Sequence, residues 1–154
     1  MPTHSDTCVL PYTSNFLCDL VSDIEKYPEF LPWCKEVRIL ESDNDGIKAQ
    51  VTLGNDFVTE SYRCRVKTDY PYRIDVIYVD GPFKYLNTHW RFIECDGEQE
   101  GCKVDFFIDF EFQSSLFQML FQKVFASVVE GIMTAFKDRA HTLHQKQTFN
   151  KTHS

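Results

Sequence analysis

The sequence lacks the patterns that mark membrane-spanning, disulfide-linked or metal-binding proteins. No apolar run is long enough to cross a bilayer, and the six cysteines form no C-x-x-C pair. We expect these cysteines to be reduced, with neither a disulfide framework nor a zinc site. Residues 1–6 contain no basic or apolar stretch, so we expect no signal peptide. The expected location is the cytoplasm, at most peripheral to the inner membrane.

Positive charge is also scarce. The chain has 16 Lys and Arg against 23 Asp and Glu, a formal net charge of -7, so any RNA contact would need a local basic patch. We find no nucleophile elbow, phosphate loop, metal motif or histidine with a clear carboxylate partner. We therefore predict no enzymatic activity, no metal and no catalytic cofactor, with a cyclase- or hydrolase-like enzyme as a minor alternative.

Aromatic residues, in contrast, are abundant. The 154 residues include 14 Phe and 7 Tyr, more than a minimal core needs. The surplus indicates either a lined cavity or a Phe-rich core, and composition leaves both open. With no repeat, low-complexity stretch or linker, we predict a single domain over 1–154, with its core at about 7–143 and a polar, frayed tail over 145–154.

Hydrophobic periodicity predicts an α+β fold in which a curved antiparallel sheet wraps around a long C-terminal helix, with two small helices after the first strand. Turn chemistry such as Asp45-Gly46 separates the strands. The predicted strands are 7–10, 37–40, 47–53, 57–67, 73–79, 88–95 and 103–112. The first predicted helix is capped by Ser14 and runs to about Ser22, and the long helix begins at about 116.

The last strand and the helix after it show the clearest patterns. Val104, Phe106, Ile108, Phe110 and Phe112 alternate with polar residues, so one strand face is buried. Apolar residues then recur at steps of three and four over 116–143, which predicts a helix about 42 Å long. Gly131 inside this helix indicates close packing, a bend or a neutral exposed position.

An octet joins the first helix to the next strand: Tyr27-Pro28-Glu29-Phe30-Leu31-Pro32-Trp33-Cys34. Two prolines exclude an ordinary helix or a central strand, because each removes a backbone donor. The octet must be a fixed, packed connection. Leu31, Pro32 and Trp33 would form either one wall of a ligand entrance or a structural plug.

Three motifs carry a family resemblance. They are Asp23-x-x-x-Tyr27 continued by the octet, Asp80-Gly81-Pro82-Phe83-Lys84-Tyr85-Leu86-x-x-x-Trp90-x-Phe92, and Asp109-Phe110-Glu111-Phe112 followed by Phe121-x-x-Val124-Phe125 and Ala135-Phe136-x-x-Arg139-Ala140. Together they resemble the coenzyme Q-binding START-like family, which has a helix-grip fold. Its members include a mitochondrial coenzyme Q chaperone and a bacterial ribosome-association toxin. The sequence departs from the family at Thr88 and His89, where members often carry glycine.

The resemblance implies a non-enzymatic carrier of ubiquinone, or of another isoprenoid lipid, that supports respiration. It also implies an alternative, a toxin-like inhibitor that binds a ribosomal subunit and blocks subunit association. The compact length is more typical of bacterial than of mitochondrial members. Neither the oligomeric state nor an antitoxin partner follows from the sequence.

The candidate ligand-binding residues come from the octet, the strands and the long helix, whose apolar side chains would face one another. Burial of an isoprenoid tail contributes about 25 cal/mol for each Å² removed from water, so apolar walls suffice for binding. Complete filling by side chains is the alternative. The candidates are Leu31, Pro32, Trp33, Glu60, Tyr62, Tyr78, Phe83, Trp90, Phe92, Phe106, Phe110, Phe121, Phe125, Val128 and Ile132.

Two of these predictions concern polar recognition and access. Glu60 shares a strand face with apolar residues, so it would orient a quinone headgroup with Tyr62 or Tyr78, or else lie at a solvated strand end. The apolar loop 81–86 would make transient membrane contact as a portal, or Phe83 and Leu86 would fold back as core caps.

Two further groups concern other partners. Arg63, Arg65 and Lys67 alternate on one strand face and form a basic stripe, either for ribosomal RNA phosphates or as an ordinary solvated face. His141 and His144 have a metal-binding spacing, but no third ligand is evident.

Overall fold

The computed structural model describes residues 3–31, 33–54, 59–95 and 101–153, without the side chains of 117, 120–122, 124 and 147–153. Its elements follow the order predicted from the sequence. They are β1 Thr3–Leu10, α1 Ser14–Ser22, a 3-10 helix Ile24–Glu29, β2 Cys34–Asp43, β3 Gly46–Gly54, β4 Thr59–Asp69, β5 Arg73–Asp80, β6 Phe83–Glu94, β7 Cys102–Phe112 and α2 Ser115–His153.

The sheet is antiparallel and has the order β1-β7-β6-β5-β4-β3-β2. Its register aligns apolar residues into rows on the inner face, and one row pairs Val66 with Val76, Val76 with Thr88, and Thr88 with Ile108. Helix α2 packs over this face through residues that recur every three or four positions. Among the described side chains of α2, the buried ones are Val129, Ile132, Met133, Phe136 and Ala140. The predicted helix-grip arrangement is confirmed.

Several predicted boundaries were wrong. Helix α2 continues through His153 instead of ending at Leu143, because no glycine or proline follows Gly131 and Gln and Lys favour helix. Strand β6 begins at Phe83 rather than at Thr88. The cap of α1 is Thr13, whose Oγ1 accepts from the amide of Phe16 at 3.1 Å, rather than the predicted Ser14.

The octet begins within the 3-10 helix, which ends at Glu29, and packs against α2. Phe30 and Tyr27 meet Phe136 edge-on at 5.1 and 5.2 Å between ring centroids. Arg139 lies over the Phe30 ring, with its guanidinium carbon 5.2 Å from the centroid, and donates to Glu29 at 3.1 Å. The prediction of a fixed, packed connection is confirmed.

Gly131 has a simple environment. A Cβ at this position would meet no atom within 4 Å, apart from its neighbours and its own helix, and the residue is exposed. Close packing is therefore excluded as the reason for a glycine here. We expect Gly131→Ala to raise the free energy of unfolding by about 0.5–1 kcal/mol, because alanine restricts the unfolded chain and favours helix. Urea unfolding measures the change, and a destabilised variant would contradict it.

Candidate ligand-binding cavity

A cavity of about 90 Å³ lies between the inner sheet face, the octet and α2. Alternation along β3, β4, β6 and β7 directs every second side chain toward it, and α2 contributes residues at steps of three and four. The lining residues are Ile24, Tyr27, Leu31, Trp33, Cys34, Val51, Leu53, Tyr62, Cys64, Val66, Ile74, Val76, Leu86, Thr88, Trp90, Phe106, Ile108, Phe125, Val128, Ile132 and Phe136.

The lining is uncharged and mostly apolar. Among the described residues that border the cavity there is no Lys, Arg, His, Asp or Glu. Its volume is below the roughly 300–1,000 Å³ of most ligand sites. A ligand of that size could enter only if α2 or the octet moved outward.

Protic side chains gather at one part of the wall. Burial raises the pKa of Cys34 to about 11 and that of Cys64 to about 12, so both thiols are neutral at physiological pH. Burial, with these two thiols and Tyr27 nearby, also holds the pKa of Tyr62 well above its usual value. The Tyr27 hydroxyl donates to the carbonyl oxygen of Val21. The cavity thus has a polar region without charge.

The predicted ligand-binding residues divide into three groups. Eight border the cavity, namely Leu31, Trp33, Tyr62, Trp90, Phe106, Phe125, Val128 and Ile132. Five described candidates do not: Glu60, Tyr78, Phe83, Phe92 and Phe110. Pro32 and the Phe121 side chain lie outside the described residues.

Glu60 lies at the start of β4 and does not border the cavity, so its role as a headgroup ligand stays a prediction. Tyr78 instead uses its hydroxyl to accept from the amide of Phe83 at 3.0 Å. Phe92 and Phe110 are inward but enclosed by neighbouring side chains.

Of the two alternatives for 81–86, the structure supports the one in which Phe83 and Leu86 fold back as core caps. Phe83 and Leu86 are only 5% and 3% exposed. Phe83 stacks on Phe112 with 4.9 Å between centroids, and Phe125 lies 5.3 Å away. These residues belong to β6, whose inner face is covered, so they cap the core.

The basic stripe lies on the outer sheet face, where it is partly neutralised. Arg63 forms an ion pair with Asp80 at 2.9 Å, and Arg65 lies 3.7 Å from Asp43. Lys67 is exposed. The stripe is therefore a mixed-charge face rather than a continuous basic surface.

The two histidines of α2 contact the start of α1. The Tyr12 hydroxyl lies 3.3 Å from Nδ1 of His141, and its ring centroid is 4.9 Å from that of His144. Within the described residues, no three His, Cys, Asp or Glu side chains are grouped so that they could hold a metal ion. The two histidines therefore have a packing role.

Sequence reasoning missed thirteen wall residues, including Tyr27, Cys34, Cys64, Thr88 and Phe136. The same alternation that identified Phe106 places Cys64 and Thr88 on inner faces, so the signal was present. What the pattern does not show is which inward residues border empty space.

Comparison with known proteins explains this architecture. Residues 10–137 match the family described as polyketide cyclase / dehydrase and lipid transport. The chain belongs to this family. The START-like resemblance predicted from the three motifs is confirmed, and the family contains both enzymes and lipid transporters by its description.

Two relatives that are similar to this chain in sequence have names that indicate different functions. The ribosome association toxin RatA of Escherichia coli is 34% identical over 144 residues, which cover 94% of this chain and 90% of the toxin. The mitochondrial coenzyme Q-binding protein COQ10 homolog B of Xenopus laevis is 29% identical over 94% of this chain and 60% of that protein.

A solved structure whose sequence is about as similar to this chain as that of the toxin supports the fold. The solution structure of an 18 kDa protein of Caulobacter crescentus has a TM-score of 0.72 and 35% identity, and the match covers 94% of this chain and 99% of that one. No helix in the described ranges is long and apolar enough to cross a bilayer.

Proposed function

We propose that this protein is a non-enzymatic, cytoplasmic carrier that holds ubiquinone, or a similar lipophilic ligand, between its sheet and α2 and thereby supports respiratory electron transport. The observation that carries the proposal is the uncharged aromatic and aliphatic cavity bordered by both faces of the grip. The name of the Xenopus relative points to the same ligand.

The described cavity wall has no histidine–carboxylate pair, which favours carriage over catalysis; the pair of His89 and Asp75, 2.6 Å apart, does not border the cavity. Acid–base catalysis needs a titratable group close to the substrate. The described wall has no carboxylate or imidazole, and burial raises the pKa of its two thiols and of Tyr27 and Tyr62, which disfavours the thiolate and phenolate forms. Binding without a chemical step is the use that this wall supports.

Tryptophan fluorescence gives a direct test. The chain has two tryptophans, and both Trp33 and Trp90 border the cavity. A quinone ring bound there should quench both, so ubiquinone-2 should produce saturable quenching, whereas free N-acetyltryptophanamide should show only linear collisional quenching. Linear quenching of the folded protein would contradict the proposal.

A second candidate function is inhibition of translation through an outer surface that binds a ribosomal subunit. It is favoured by the name of the Escherichia coli relative, which the chain matches along nearly its whole length. On this protein the exposed face of β4 is the candidate contact, although Asp80 and Asp43 offset part of its charge. A cavity and an outer face can serve separate functions on one fold.

Charge removal tests this second function. If the protein arrests growth on overexpression, replacing Arg63, Arg65 and Lys67 together with glutamine should relieve the arrest, because phosphate contacts require cations. Removing three exposed lysines elsewhere, Lys26, Lys137 and Lys146, provides a matched control that should leave the arrest unchanged. Undiminished arrest by the first variant would reject this surface.

A further inference from the structure

The protic part of the cavity wall contains Tyr27, Cys34, Tyr62 and Cys64, which come from the 3-10 helix, β2 and β4. The two thiols and Tyr27 are close enough to Tyr62 to influence its ionisation. All four side chains are neutral at physiological pH. This region can therefore interact with a ligand through hydrogen bonds but not through charge.

Tyr62 is fixed at its base and free at its hydroxyl. The φ of Gly81 is +145°, and a Cβ at this position would lie 2.6 Å from the Cβ of Tyr62. Only glycine allows the two segments to approach so closely, and this contact restrains the backbone at Tyr62. Phe83 meets the Tyr62 ring edge-on at 5.8 Å. The Tyr62 hydroxyl has no hydrogen-bond partner among the described residues, whereas the Tyr27 hydroxyl donates to the carbonyl oxygen of Val21.

The free hydroxyl is not sealed inside protein. Within the described ranges, Nε2 of His4 is the one fully enclosed side-chain nitrogen or oxygen that lacks a partner. The Tyr62 hydroxyl, which also lacks a partner there, is therefore not fully enclosed, and Tyr62 borders the cavity. A hydroxyl without a partner on the wall of a mostly apolar cavity is an available donor.

The wall also determines which headgroups fit. A buried carboxylate or phosphate needs a cation, since an isolated buried charge is strongly unfavourable, and the described wall supplies none. A neutral carbonyl oxygen needs only one donor. The cavity therefore favours a neutral acceptor over an anionic headgroup.

We infer that the Tyr62 hydroxyl donates a hydrogen bond to a carbonyl oxygen of the bound lipid and makes the cavity selective for neutral, carbonyl-bearing lipids over fatty acids. This inference rests on the proposed carrier function and adds a specificity-determining residue to it. It predicts that quinones bind and that laurate does not bind at pH 8.

The test compares wild type with Tyr62→Phe, which removes only the hydroxyl, and with Tyr72→Phe, which removes an exposed hydroxyl elsewhere. The probes are ubiquinone-2, laurate and biphenyl, a hydrocarbon without an acceptor. Loss of one net hydrogen bond should weaken ubiquinone-2 binding to Tyr62→Phe about 3- to 10-fold. Biphenyl binding should be unchanged, and Tyr72→Phe should bind all three probes like wild type.

Each failure has its own signature. Equal ubiquinone-2 affinity for wild type and Tyr62→Phe, or laurate affinity matching that of the quinone, would overturn the selectivity inference and leave the carrier function intact. Failure of wild type to bind ubiquinone-2 would overturn both. If Tyr62→Phe does not fold, infrared spectroscopy of ubiquinone-2 bound to wild type decides: a carbonyl stretch lowered from its value in hydrocarbon supports the hydrogen bond, and an unshifted stretch overturns it.

Discussion

Phe125→Asp is expected to weaken ubiquinone-2 binding by more than about 100-fold, because the change removes apolar wall area and places a carboxylate where no cation is available. Phe125 borders the cavity and meets Phe110 at 4.5 Å between ring centroids. Titration of tryptophan fluorescence measures the loss. A folded variant that keeps the wild-type affinity would show that the ligand lies elsewhere.

The matched control makes the same change on the same helix. Met119 is 79% exposed and does not border the cavity, so Met119→Asp should retain wild-type affinity. Circular dichroism of both variants should show that the fold is intact. A similar loss in both would attribute the effect to the charge on α2 rather than to the cavity wall.

Phe92→Ala is expected to lower the free energy of unfolding by about 3–5 kcal/mol, as is usual when a buried phenylalanine is truncated. Phe92 is 1% exposed and its ring lies parallel to that of Trp90, with 6.4 Å between centroids. Phe92 does not border the cavity, so its truncation would leave a new void in the packed core. Guanidinium unfolding, with an unchanged m-value, measures the loss.

Phe107→Ala is the control for this second prediction. Phe107 lies on the neighbouring strand but on the outer face, where it is half-buried beside His89 at 5.9 Å. Truncation there should cost about 1 kcal/mol or less, since solvent can fill the space. Equal losses at the two positions would contradict the assignment of Phe92 to the core.

The fold was predictable because local patterns agree with it along most of the chain. The alternation of β7 identified the inner face, and the three-and-four spacing of α2 identified its cover. The end of α2 was missed because its polar residues give no periodic signal, yet nothing in them stops a helix. The start of β6 was missed because Asp80-Gly81-Pro82 suggested a longer loop than the structure has.

The cavity was only partly predictable, since strand alternation shows which side chains point inward but not which of them meet empty space. Phe106 and Phe110 share one face of β7, yet only Phe106 borders the cavity. The difference arises from sheet curvature and from the aromatic cluster around Phe83, which depends on contacts between distant strands. Thr88, which departs from the family pattern, also borders the cavity because of contacts between distant strands.

The most direct test of the central claim is mass spectrometry of the organic extract of the protein purified without detergent. The carrier account predicts ubiquinone in near-stoichiometric amount with wild type and its loss from Phe125→Asp purified in parallel. Absence of quinone from the wild-type extract, together with no binding of added ubiquinone-2, would contradict the account and leave ribosomal subunit binding as the function to examine.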